Sequence, residues 1–187
     1  TMDELLSLPT LIVLDEAYIE FAGDNLGANL SRICEVPGRE NLIVLRTFSK
    51  WAGLAGLRIG YGAFPLWLMP TLWKSKQPYN VNVAASVAAQ VSLEHVDELA
   101  KVVELLKVER KRLLAELQGI PYLKPYPTQS NFILCQVIDR DAAELKAQLI
   151  QEYGIFVRYF NKPGLRDHIR ISVGRPQDTD VLSKALT

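Results

Sequence analysis

The segment 46–62, RTFSKWAGLAGLRIGYG, gathers a lysine, two hydroxyls and an arginine on one glycine-rich connection. Lys50 follows Thr47 and Ser49, and Arg58 stands eight residues further on. A lysine amine has a reference pKa of about 10.4, so only roughly one in two thousand is neutral at pH 7. The neutral amine is the species that adds to an aldehyde, so a lysine used in this way needs desolvation or a nearby positive charge. Arg58 would supply such a charge, and its guanidinium suits a phosphate. The hydroxyls of Thr47 and Ser49 and neighbouring backbone N–H groups would donate to the same oxyanion. A lone Ser-Lys pair is most often a solvated loop. The whole string carries the weight.

Two other groups have chemistry to offer. Asp15-Glu16-Ala17-Tyr18 follows the apolar run Leu11-Ile12-Val13-Leu14, and an acid there either caps a following helix or serves a ligand. The tail 153–174, YGIFVRYFNKPGLRDHIRISVG, holds Arg158 and Arg170. An arginine on a half-buried strand is either a salt-bridged edge residue or a two-armed grip for an anion.

The elements that must position these residues follow from pattern. Leu11–Leu14, Asn41–Leu45 and Arg58–Phe64 are short apolar runs separated by longer connections, which predicts strands in a sheet covered on both faces. Pro65 opens a helix containing Leu68, Leu72 and Trp73, and a helical pattern runs from Val83 until Gly119 and Pro121 end it. Beyond that the order is strand (Asn131–Val137), helix (Asp141–Tyr153), strand (Ile155–Arg158), strand (His168–Val173) and a last helix from about Thr179. The predicted organisation is a sheet-containing domain over residues 1–97, then a long linking helix and a small α+β domain over 98–187.

Composition narrows the function classes. The formal charge of the 187 residues is zero at pH 7, which argues against a nucleic-acid partner held by bulk charge. No apolar run is long enough to cross a bilayer. Cys34, Cys135, His95 and His168 are scattered without metal-ligand spacing or a disulfide framework, so no metal site and a reducing compartment are expected.

The string from Ser49-Lys50 through Gly53-Leu54-Ala55-Gly56-Leu57-Arg58-Ile59-Gly60-Tyr61 is similar to the segment around the Schiff-base lysine of fold type I aminotransferases. LDEAYIEF, NLIVLRTFSK, QPYNVN, SNFIL and IRISVG resemble the histidinol-phosphate branch of that family, and the likeness runs over nearly the whole chain. The resemblance implies an α/β fold: a partial large domain of a pyridoxal-phosphate-dependent transferase plus a C-terminal α+β small domain. It implies pyridoxal 5'-phosphate as cofactor, with Lys50 as its covalent anchor and catalytic base. Asp15 would meet the pyridine nitrogen, Tyr18 the ring oxygen, and Thr47, Ser49 and Arg58 the phosphate. Arg170 would grip the substrate carboxylate, with Arg158, Asn131 and Tyr79 as further substrate contacts.

The implied reaction moves an amino group between L-histidinol phosphate and 2-oxoglutarate, with glutamate as the counterpart, in histidine biosynthesis. A homodimer in the cytoplasm or plastid stroma goes with it. Family chains are longer, and only fourteen residues precede Asp15, so an N-terminally truncated form is expected. The alternatives are an aromatic aminotransferase, a threonine-phosphate decarboxylase, or a fragment without activity.

Overall fold

The three apolar runs of the first half form one mixed sheet. The computed structural model describes all residues, Thr1–Thr187, and they divide into two compact units, Thr1–Lys101 and Val102–Thr187. No helix is long and apolar enough to cross a membrane.

In the first unit, α1 (Met2–Leu6) starts from a capping box between Thr1 and Glu4. β1 (Ile12–Asp15) then runs parallel to β2 (Leu42–Thr47), with Ile12 opposite Leu42 and Asp15 opposite Leu45. β3 (Gly60–Ala63) closes the other edge of β2 antiparallel, with Thr47 opposite Gly60. A side chain on Gly60 would meet the Arg46 carbonyl oxygen at 2.6 Å, so only glycine fits where β3 begins.

Because side chains alternate along a strand, this register puts Ile12, Leu14, Leu42 and Val44 on one face. They pack with Leu6 of α1 and with Ile33 and Val36 of the 3₁₀ turn Ile33–Gly38. Leu42 and Val44 are fully buried, each contributing about 1.5–3 kcal/mol relative to exposure. The opposite face is covered only in part: Ile43 is 6% exposed, whereas Val13 is 56% and Leu45 36% exposed. The expectation of a sheet covered on both faces therefore holds at the middle of β2, where Leu42, Ile43 and Val44 are all buried, and is corrected at Val13 and Leu45. α1 and the Ile33–Gly38 turn both pack against the Leu42/Val44 side, which is the more completely covered of the two.

The third strand is shorter than its apolar run. Arg58 takes a left-handed conformation (φ 55°, ψ 46°) at the end of the 3₁₀ turn Ala55–Leu57, which delays β3 until Gly60. After it come α2 (Met69–Ser75) and α3 (Val83–Glu94), the latter capped by the Asn82 side chain accepting from the Ala85 N–H at 2.8 Å. The helical pattern from Val83 resolves into two helices, because His95 leaves helical geometry before α4 (Val96–Gln118) begins. The Ser92 hydroxyl donates to the Ala88 carbonyl one turn earlier, a contact that weakens helix continuity. α4 starts in the first unit and continues into the second.

The second unit is a four-stranded antiparallel sheet in the order β4-β5-β7-β6. Its strands are β4 (Leu123–Pro125), β5 (Phe132–Val137), β6 (Arg158–Tyr159) and β7 (His168–Ser172). β5 alternates strictly, with Ile133, Cys135 and Val137 inward. They meet Ile169 and Ile171 of β7 and a helical layer made of Leu113 and Leu117 of α4, Leu145 and Leu149 of α5 (Ala142–Tyr153), and Leu182 and Leu186 of α6 (Pro176–Leu186). Asp141 caps α5, accepting from the N–H groups of Ala143 and Glu144, and Gly154 ends it with φ 66°.

Three boundaries differ from the sequence pattern. β6 is Arg158–Tyr159, two residues of which only Arg158 lies in the expected Ile155–Arg158 run. β4 has no alternation to announce it, as its three residues include Lys124 and Pro125. α6 begins at Pro176 because proline is pre-set for the first helical position.

Candidate active site

Lys50 lies in the connection after β2, and aromatic anchors on both sides fix that connection. Phe48 and Trp51 are buried, with ring centroids 5.7 Å apart, and Phe48 also packs on Tyr61 of β3 at 5.5 Å. The Phe48 N–H donates to Ile59 and its carbonyl accepts from Leu54, so the loop is tied at both ends. Ser49 and Lys50, between the two anchors, stay half-buried. Thr47 donates its hydroxyl to the Ile59 carbonyl at 3.3 Å and accepts from the Ser49 N–H at 3.0 Å, which holds both hydroxyl residues in one short arc.

Arg58 closes this loop. Its left-handed backbone disfavours any residue with a Cβ, at a cost of about 1–3 kcal/mol. Its exposed guanidinium has one protein contact, Nη1 donating to the Ala55 carbonyl at 3.1 Å. The remaining N–H groups are available to an anion.

Asp15 and Tyr18 occupy the turn that leaves β1. The Asp15 side chain is exposed, and its Oδ1 accepts from the Ala17 N–H at 3.0 Å. It therefore shapes a turn and does not cap a helix: the following 3₁₀ turn, Ile19–Phe21, starts at Tyr18 without a side-chain cap. The Lys50 Nζ lies 5.4 Å from the centre of the Tyr18 ring. That contact joins the turn after β1 to the loop after β2, and no carboxylate pairs with the Lys50 ammonium.

Behind this pair sits a charged cluster that sequence reasoning left unassigned. Glu16 is buried and fully satisfied: Oε1 accepts from the Arg32 N–H at 2.8 Å, and Oε2 from the Ser31 hydroxyl at 2.7 Å and Arg46 Nε at 3.0 Å. Glu20, 3% exposed, has Oε1 3.9 Å from Arg46 Nη1, while its Oε2 has no partner. Burial pushes the Glu20 carboxyl up to about 7; its own backbone N–H and Arg46 oppose that rise, and Glu16 adds to it. Burial works against the charge on Arg46, but hydrogen bonds with Tyr61 and Glu16 outweigh it and hold its pKa above the ordinary arginine value. The available signal was an acid just past one apolar strand and an arginine near the end of its parallel neighbour.

The second unit brings Arg158 and Arg170 together. They stand directly opposite each other on β6 and β7, on the outward face of the sheet. Arg158 lies over the Phe160 ring at 5.6 Å and Arg170 over Phe132 at 4.8 Å. Neither has a carboxylate partner, and the Arg170 Nε is buried with no acceptor. Like charges directly opposite on one sheet face repel. An anion between them would remove the repulsion and satisfy the orphaned Nε–H.

The other two expected residues are less engaged. Asn131 is half-buried and continues the ladder through its carbonyl, which accepts from the Val173 N–H at 2.9 Å, but its side chain forms no hydrogen bond. Tyr79 is 82% exposed and is not drawn into the cluster around Lys50.

A sheet that offers an acid, an amine and a guanidinium from its turns and loops, together with an α+β unit bearing paired arginines, defines an α/β protein suited to organic anions. The family model described as aminotransferase class I and II matches residues 3–186, and the chain belongs to that family. It is 50% identical to the histidinol-phosphate aminotransferase of Roseiflexus castenholzii over 188 residues, covering 100% of this chain and 49% of that protein. Among solved structures it is similar to the histidinol-phosphate aminotransferase of Clostridium acetobutylicum, with a TM-score of 0.88 at 26% identity, covering 99% of this chain and 57% of that one. The Sinorhizobium meliloti enzyme of the same name, solved with pyridoxal-5'-phosphate, gives 0.82 at 30% identity, covering 98% and 51%. The chain spans about half the length of the curated relatives it matches.

Proposed function

We propose that this chain carries the lysine-bearing and arginine-bearing parts of a histidinol-phosphate aminotransferase, which exchanges an amino group between L-histidinol phosphate and 2-oxoglutarate. The observation that carries the reading is Lys50: half-buried, without a carboxylate partner, and 5.4 Å from the Tyr18 ring. The donor set around it fits pyridoxal 5'-phosphate. Arg58 has free guanidinium N–H groups, Thr47 and Ser49 add hydroxyls, and Asp15 keeps an acceptor oxygen uncommitted. The Sinorhizobium meliloti relative, solved with pyridoxal-5'-phosphate, supports the same cofactor.

Bound pyridoxal phosphate supplies an electron sink that makes the carbon bearing the substrate nitrogen acidic. This chain's residues do the rest. Lys50 Nζ would be the covalent anchor of the cofactor and, when free of it, would act as the base and acid that moves a proton. The Asp15 carboxylate would accept the pyridine N–H and favour its protonated form. Tyr18 would donate its phenol to the ring oxygen, and Arg58 and Ser49 would hold the phosphate, with Thr47 joining them by turning its hydroxyl from the Ile59 carbonyl. Arg158 and Arg170 bind the anionic end of either substrate, because one guanidinium fork fits phosphate and carboxylate alike. For the whole protein we propose a homodimer.

The test is direct. With pyridoxal phosphate and borohydride, peptide mapping should place the reduced label on Lys50, and Lys50→Ala should carry none. Amino transfer from histidinol phosphate should exceed that from phenylalanine, without release of carbon dioxide. A label on another side chain would sink the assignment. Release of carbon dioxide would redirect the function to a decarboxylase.

A further inference from the structure

Arg46 lies where the two halves of the Lys50 cluster meet. One half, Asp15 to Tyr18, hangs from the end of β1. The other, Thr47 to Arg58, leaves the end of β2. Backbone pairing between the two strands stops with the Glu16 N–H donating to Leu45. Past that point β1 and β2 share no ladder, and side chains must hold the turn at its distance from the loop.

Arg46 is the next residue on β2. Its side chain points to the same face as Leu42 and Val44, away from the Asp15 and Leu45 side. From there Nε donates to Glu16 at 3.0 Å and Nη1 reaches to within 3.9 Å of Glu20. Glu16 and Glu20 bracket Ala17, Tyr18 and Ile19 in sequence, so one guanidinium meets the turn on both sides of Tyr18. The arginine is 14% exposed and its hydrogen-bonded partner Glu16 is buried, a setting in which removing one partner of an ion pair is costly, while Glu20 adds the weaker approach at 3.9 Å.

We infer that Arg46 is a positioning residue: by joining Glu16 and Glu20 it fixes the Asp15–Tyr18 turn against the Lys50 loop, without itself touching ligand. The reach to pyridoxal phosphate rests on the proposed function; the Lys50–Tyr18 geometry does not. A lysine cannot replace the arginine here, because an ammonium offers a single point charge where a guanidinium offers separate arms.

The experiment uses the whole chain without cofactor and reads the upfield shift that the Tyr18 ring imposes on the Lys50 Hε protons, assigned through Lys50→Arg. Wild type should show that shift. Arg46→Lys, and the charge-balanced pair Arg46→Met with Glu16→Gln, should lose most of it while keeping the wild-type circular dichroism. Glu20→Gln, which leaves the Glu16 arm intact, should lose less. A folded Arg46 variant with the full shift would overturn the inference, as would a wild type without one. Unfolding of both Arg46 variants would also overturn it, reducing Arg46 to a core ion pair. Added pyridoxal phosphate then separates the two claims. Capture on Lys50 should weaken by roughly tenfold or more in the Arg46 variants. If wild type keeps the ring shift but takes no label on Lys50, the proposed function fails while the positioning role stands.

Discussion

Each of the two sheets has one face that is only partly covered, and the exposed parts of the two faces differ in chemistry. On the first sheet the exposed part carries Val13 and Leu45; on the second it carries Lys124, Gln136, Arg158 and Arg170. At Val13 and Leu45, though not at the buried Ile43 between them, the first sheet is short of apolar cover, so burial energy there is left unrealised. The second is well covered on its inner side, but sets two unpaired guanidinium groups side by side outside. One unit lacks cover and the other lacks a counter-charge. Stability should therefore be distributed unequally, and the two units should answer to different perturbations.

The largest expected effect tests the inner face of the second sheet. Ile133→Ala should cost about 3–4 kcal/mol, because Ile133 is fully buried in the core that α4, α5 and α6 share with the sheet. Val13→Ala on the partly covered face should change stability by under about 0.5 kcal/mol. Urea unfolding with amide exchange would locate each loss, and equal costs would break the contrast.

Next comes pH. Burial raises the Glu20 carboxyl from 4.5 to about 7, so between those values the folded chain binds a proton that the unfolded chain releases. Its contribution is complete below pH 4.5 and disappears as pH rises through about 7. The first unit should lose on the order of 2–3 kcal/mol across that range. Glu20→Gln should flatten the profile, and amides of the second unit should not follow it.

The smallest effect sharpens the claim about counter-charge. Arg158→Gln relieves the repulsion with Arg170 and should stabilise the second unit by roughly 0.2–1 kcal/mol in an anion-free buffer. Inorganic phosphate should raise the thermal midpoint of the wild type more than that of the variant. An identical response would mean that the paired arginines do not act together.

Much of the candidate site was legible in short strings. Thr47, Ser49, Lys50 and Arg58 sit within twelve residues, and Asp15 with Tyr18 within four, so a local pattern was enough to group them. The strand assignments held where apolar residues ran consecutively, as in Leu42–Val44, and drifted where Arg58 turned left-handed or where β4 offered only Leu123 to the core. The acid-arginine cluster escaped because Glu16 and Arg46 lie 30 residues apart and meet only through parallel pairing.

The sequence by itself determined which residue types follow each other on a strand, a cap or a loop, because those choices depend on propensity and spacing over a few residues. It thereby supplied the lysine loop, the acid-tyrosine turn and the inward alternation of β5. Register and burial were decided only by tertiary structure, since both depend on which distant segments pair and which face they cover. That is why Arg158 stands opposite Arg170, why Lys50 lies over Tyr18, and why Glu20 keeps its proton near neutrality.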